Sequence, residues 1–250
     1  MEIENLIIEC SKKYPTSCRR APFNVVSYRL NYLSNPEDKK LIDSLLTKAE
    51  YLAKKVNPGT ANDSSHKRDN KRILANCIAG VVSEYFWKQY LNSDDEIVSE
   101  TEFDDAAKQI DLKVISNNKK IEVRSSFPRK GIEFAICHPI HQFDILGPYS
   151  NNYKPGEIQK DYYVRTLFHL DNPIDIIERI KQDSFPVYLT GGATWGMMVN
   201  NKYSKNKNLV PENDWFNIEK TTSYRVVPFS NAADSIQIKR AITENLDVKY

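Results

Sequence analysis

Cysteine, glycine and proline are all scarce in this chain of 250 residues. Its 4 cysteines (Cys10, Cys18, Cys77 and Cys137) are too few for a disulfide scaffold. Reduced thiols in a cytoplasmic protein are the simplest expectation. With 8 glycines and 12 prolines the chain is neither collagen-like nor of low complexity. Gly191-Gly192 reads as a turn; no Gly-Lys-Ser/Thr follows it to make a phosphate-binding loop. No apolar run approaches the ~20 residues that span a bilayer. The acidic start, Met1-Glu2-Ile3-Glu4, and the short Leu6-Ile7-Ile8 lack the form of an export signal. An excess of either charge is also missing, because 35 Lys and Arg stand against 33 Asp and Glu for a net +2. That balance excludes a polybasic coat for nucleic acid but permits a local basic cleft.

What is present is an ordinary globular balance, 40% hydrophobic and 27% charged, with 14 Tyr, 10 Phe and 3 Trp. The length suits a single domain over 1–250, with a core at about 70–170, an N-terminal helical part at 1–69 and a C-terminal α/β extension at 171–250. Residues 1–33 carry no clear pattern. Asn35-Pro36-Glu37-Asp38 starts a helix, and apolar residues from Leu41 to Val56 continue it to Asn57-Pro58-Gly59. A polar loop follows. A second helix is expected from Asp69 to Leu91 on the stripe Leu74, Cys77, Ile78, Val81, Val82 and Tyr85. Glu84 falls about 80° from the centre of that stripe, on its shoulder. Strands are expected at 96–101, 109–115, 120–126, 132–137, 162–170, 185–190 and 221–229. A short helix at 173–182 and a last helix at 234–246 complete the set, with an irregular excursion at 139–161 and a basic loop at 200–208. Helices and strands mix without regular alternation. The expected class is α+β, a central mixed sheet flanked by helices.

The hairpin 109–126 carries the chemistry. Ile110, Leu112, Val114, Ile121 and Val123 share one face, and Asp111, Lys113, Glu122 and Arg124 share the other. A turn centred on Asn117-Asn118 would set Lys113 across from Glu122 and Asp111 across from Arg124, making Asp111 and Glu122 diagonal neighbours. Two converging carboxylates repel unless a cation lies between them. A hard divalent ion with oxygen ligands, Mg²⁺ before others, is the natural solution. Lys113 and Arg124 would then hold an anion beside it. A metal that activates water and polarises phosphate, flanked by cations, is what phosphodiester cleavage needs.

Glu84 on a helix, Ile110-Asp111-Leu112 and Ile121-Glu122-Val123-Arg124-Ser125-Ser126 together resemble the PD-(D/E)xK nuclease superfamily, with type II restriction endonucleases its best-matched branch. The resemblance covers about 70–170 and implies a mixed sheet flanked by helices, a restriction-endonuclease-like core. It also implies Mg²⁺ (or Mn²⁺) on Asp111, Glu122 and the Val123 carbonyl, assisted by Glu84. The substrate would be double-stranded DNA, cut to 5′-phosphate and 3′-hydroxyl ends by a homodimer of restriction or phage-defence type. The chain departs from the pattern at Ile110, where proline is usual, and at Arg124, where lysine is. Arginine stays protonated and cannot be a general base. Lys113 is the expected source of the missing ammonium.

Lys119, Lys120, Arg129 and Lys130 bracket the hairpin and suit a phosphate backbone, as do Lys202 and Lys205 in the basic loop. Cys137-His138-Pro139-Ile140-His141 invites a zinc reading with Cys10 and Cys18, but the spacing is not that of paired knuckles. Two other readings fit the same residues. One is a nuclease for branched DNA in repair or recombination. The other is a degenerate core that binds nucleic acid without cutting.

Overall fold

A computed structural model describes residues 1–14, 16, 21–56, 69–101, 110–150, 157–209 and 222–246. Cys18, Gln109 and the Asn57-Pro58-Gly59 stop with the loop after it lie outside the described residues. Two helices form where their caps and periods place them. In α2 (Pro36–Ala53) the Asn35 side chain accepts from the Glu37 and Asp38 amides. In α3 (Asn70–Leu91) the Asp69 side chain accepts from Arg72 N–H. Each cap is worth about 1 kcal/mol.

The α3 helix is buried more widely than a single stripe. Ile73, Ala75, Ile78, Ala79, Val82, Phe86 and Trp87 are all enclosed, between α2, the sheet and the turns around α5 (Ile176–Arg179). The last long helix, α7 (Ser235–Thr243), opens on a reciprocal capping box between Asp234 and Gln237.

Strands drawn from Glu2 to Thr194 form a seven-stranded mixed sheet in the order β1-β2-β8-β7-β5-β4-β3. Its strands are β1 (Glu2–Ile8), β2 (Phe23–Leu30), β3 (Val98–Glu100), β4 (Leu112–Val114), β5 (Lys120–Ser126), β7 (Tyr162–Leu167) and β8 (Phe185–Thr194). Among the described residues only β5 and β7 pair in parallel. A smaller sheet has the order β6-β10-β9, from β6 (Asp144–Ser150), β9 (Lys205–Leu209) and β10 (Thr222–Pro228). The class is therefore α+β as expected.

Strand parity separates two apolar cores. Val26, Tyr28, Ile121, Val123, Tyr162, Val164 and Leu189 face α2, α3, α5 and α7. On the opposite face Phe23, Val25, Tyr163, Leu167 and Ala193 meet the small sheet and the short helices α1 (Cys10–Lys13), α4 (Ile132–Cys137) and α6 (Trp195–Val199).

Several expectations are corrected. The N-terminal part is not helical throughout, because β1 and β2 form one edge of the large sheet. Residues 132–137 form α4, not a strand: Ile132, Ala135 and Ile136, at helical spacing, bury together in the second core. The excursion at 139–161 contains β6, and β9 starts inside the presumed basic loop.

Gly191-Gly192 is not a turn either. It lies within β8 at a register shift opposite Arg165 and Thr166. There Gly191 has φ +110°, and a Cβ on it would sit 2.2 Å from the Ala233 carbonyl oxygen. Only glycine tolerates both conditions.

Cys10 and Cys137 are joined as a disulfide that ties α1 to α4, and Cys77 is free. This overturns the reduced-thiol expectation for that pair. No helix among the described residues is long and apolar enough to cross a membrane.

Candidate active site

The β4–β5 hairpin keeps the expected faces but not the expected register. Leu112 pairs with Ile121 and Lys113 with Lys120. Four residues, Ile115 to Asn118, close the turn, with Val114 N–H donating to the Lys119 carbonyl at 2.8 Å and Asn118 at φ 59°. The turn is thus centred one residue earlier than expected. A shift of two in the pairing leaves every aliphatic side chain on the helical side, which is why hydrophobicity alone does not distinguish the two registers. It moves Lys113 opposite Lys120 and away from Glu122, so Lys113 is not the ammonium beside that carboxylate. The same register, continued one residue beyond β4, sets Asp111 opposite Glu122 rather than diagonal to it.

Because β4 has only three residues, β5 from Glu122 onward is flanked by Asp111 and not by a paired strand among the described residues. Val123 N–H donates to Asp111 Oδ2 at 2.7 Å. The carbonyls of Lys120 and Ser126 point the other way and accept from Asp161 and Phe168 on the β7 side. In an extended strand the N–H and C=O of one residue share an edge, so the Val123 carbonyl opens beside Asp111.

Both carboxylates are buried. Burial, then Glu122 and Glu84, push the Asp111 carboxyl well above the usual carboxylate range, against the pull of the Val123 amide and Arg124. Glu84 approaches from α3, with Lys48 of α2 at 4.0 Å. Its carboxyl is raised to about 7 by burial, opposed by Lys48 and reinforced by Glu100 and Glu122. Lys88, an obvious i+4 partner for Glu84 in sequence, pairs with Glu100 at 3.2 Å instead.

Glu122 is gripped by two cations. Arg124 Nη2 lies 2.8 Å from Oε1, and Lys160 Nζ lies 3.1 Å from Oε2. The second contact is an ion pair without a hydrogen bond's alignment, so Oε2 is buried with no aligned donor. Arg124 Nη2 also meets Glu157 at 2.7 Å, and its guanidinium stacks over Tyr149 at 5.3 Å. Burial alone would lower the Arg124 value, but Glu122 and Glu157 outweigh it and hold the group protonated.

Lys160 is 1% exposed and stands just before β7. It and Glu157 come from the aperiodic stretch before that strand. Their only sequence signal was membership of a long irregular segment of the kind that carries function.

The basic residues proposed for nucleic acid do not form one patch. Lys119 and Lys120 sit at the start of β5, where Lys119 stacks over Tyr162 at 5.4 Å. Arg129 and Lys130 are exposed beyond its other end, roughly 20 Å along a strand of this length. Lys202 and Lys205 are exposed on and before β9 in the small sheet. His138 serves a turn: its Nδ1 accepts from the Ile140 and His141 amides at 3.2 and 2.9 Å.

Comparison with known proteins adds little to this geometry. The chain matches no known protein family, and no solved structure matches it. A protein of Methanocaldococcus jannaschii, described only as uncharacterized, is 30% identical over 152 residues, 55% of this chain and 52% of the relative. The chain thus spans about half the length of that curated relative.

The donor set fits a hard cation. Asp111 and Glu122 supply buried oxygens that repel each other, one oxygen of Glu122 lacks an aligned donor, and the Val123 carbonyl opens on the same edge. Among the described residues no three His, Cys, Asp or Glu side chains form a group that could hold an ion by themselves. A metal would rest on two carboxylates and a main-chain oxygen, with Glu84 acting at longer range.

Proposed function

We propose that this protein is a Mg²⁺-dependent endodeoxyribonuclease of restriction or phage-defence type, as its resemblance to the PD-(D/E)xK superfamily implies. The observation that carries the reading is the meeting of buried Asp111 and Glu122 at the open edge of β5, with Arg124 and Lys160 closing on Glu122 and Glu84 acting at longer range from α3. Asp111, Glu122 and the Val123 carbonyl would hold the ion. The chemistry supplied there by bound Mg²⁺ would be polarisation of the scissile phosphate and acidification of the attacking water. Lys160, not Lys113, supplies the ammonium that the arginine at 124 does not. Buried against Glu122, 3.1 Å from its Oε2, it holds that carboxylate and orients the water beside it. Arg124 clamps the phosphate, and Glu84 tunes the charge of the pair. A palindromic target calls for a symmetric homodimer. As a nuclease acting on DNA it would work in the cytoplasm.

Incubation with plasmid and mixed genomic DNA tests the proposal. Discrete fragments with Mg²⁺ and none with EDTA are expected. Cutting confined to branched substrates favours the repair reading, and a gel shift without cutting leaves a binding module.

A further inference from the structure

Arg165 is a buried cation that this mechanism does not use. It sits on β7 at the register of Arg124 on β5, so the two guanidinium groups leave neighbouring strands about 4.8 Å apart toward the same face. Arg165 is 3% exposed. Its Nη2 donates to Ser126 Oγ, while its Nε and Nη1 are buried with no acceptor, as is the Nε of Arg124. Arg124 has Glu122 and Glu157 to balance its charge. Among the described residues Arg165 has no ion pair. The acid that acts on it, Asp144, is already held by Lys207 at 2.5 Å.

Burial and then Arg124 lower the Arg165 value to about 10, which still leaves it charged at neutral pH. Enclosing an uncompensated charge is strongly unfavourable. Buried positive charge with unused planar N–H groups is chemistry that awaits an oxyanion.

We propose that Arg165 and Arg124, with the Ser126 hydroxyl, form a binding site for a phosphate group on the face shared by β5 and β7. Ser126 and Arg124 are only partly buried and give the site its opening. The phosphate comes either from a nucleic-acid backbone lying along β5 or from free phosphate. Neither source requires the metal reading to be correct.

The test uses the full chain in EDTA. Thermal melting is followed in inorganic phosphate and in chloride of equal ionic strength, and duplex binding is titrated separately. Wild type is compared with Arg165→Met and Arg165→Lys. If free phosphate is the ligand, it raises the wild-type melting temperature and leaves Arg165→Met unmoved. If the backbone is the ligand, Arg165→Met weakens duplex binding at least tenfold and Arg165→Lys recovers part of it. Unliganded Arg165→Met melts no lower than wild type.

A wild-type protein indifferent to phosphate, together with unchanged duplex affinity in both variants, overturns the proposal. Should Arg165→Met not fold, the wild-type response and Arg165→Lys still decide. Calorimetric Mg²⁺ uptake on the same proteins keeps a failure here distinct from a failure of the nuclease reading.

Discussion

Glu84→Gln is expected to stabilise the protein at pH 8 when no divalent cation is present. Burial, opposed by Lys48 and reinforced by Glu100 and Glu122, lifts the Glu84 carboxyl from 4.5 to about 7. The folded protein therefore keeps a proton that the unfolded chain releases. The stability this contributes is complete below about pH 4.5 and is lost as pH rises through 7. At about 1.4 kcal/mol per pH unit, ionised Glu84 costs on the order of 3 kcal/mol at pH 8. Glutamine keeps the shape without the charge, so the variant should gain roughly 2–3 kcal/mol at pH 8 and nothing at pH 4. Urea unfolding in EDTA, followed by the fluorescence of buried Trp87, measures this across the pH range. Mg²⁺ should narrow the gap by stabilising the wild type. A variant no more stable than wild type at pH 8, or equally advantaged at both ends of the range, refutes the reasoning.

Three other outcomes follow from the geometry. Lys160→Met should reduce DNA cleavage by roughly a hundredfold or more, with duplex binding retained, because it removes the ammonium 3.1 Å from Glu122; quantitative digests and gel shifts separate the two effects. Gly191→Ala should destabilise by more than about 2 kcal/mol in urea, since φ +110° and the Ala233 carbonyl both oppose a Cβ. Reducing the Cys10–Cys137 bond, which closes a loop of 127 residues, should cost up to about 4–5 kcal/mol by chain entropy, visible as a lower urea midpoint in dithiothreitol.

Elements with a local signature were legible in the sequence. The Asn35-Pro36 start announced α2, the apolar stripe from Leu74 to Tyr85 announced α3, a last helix was expected where α7 lies, and alternation announced β5. The elements that escaped depend on tertiary contact. In α4 six residues rich in β-branched and aromatic side chains are helical because the second core takes them at helical spacing. β6 contains Gly147-Pro148, which reads as a break, yet it is an edge strand paired only to β10, where proline is tolerated. The site was half legible. Asp111, Glu122, Arg124 and Glu84 were visible through strand parity and helix phase, both local properties. The pairing of Lys113 was wrong because a two-residue slip preserves every face. Lys160, Glu157 and Arg165 were invisible because their partners lie 33 to 41 residues away across β5 and β7.

The central claim is that Asp111 and Glu122 hold one divalent cation between them. Isothermal calorimetry of Mg²⁺ and Mn²⁺ binding, with a duplex present, tests it most directly on wild type, Asp111→Ala and Glu122→Ala. Saturable uptake by wild type and none by either folded variant is the predicted result. No uptake by wild type, or uptake unchanged in the variants, contradicts it.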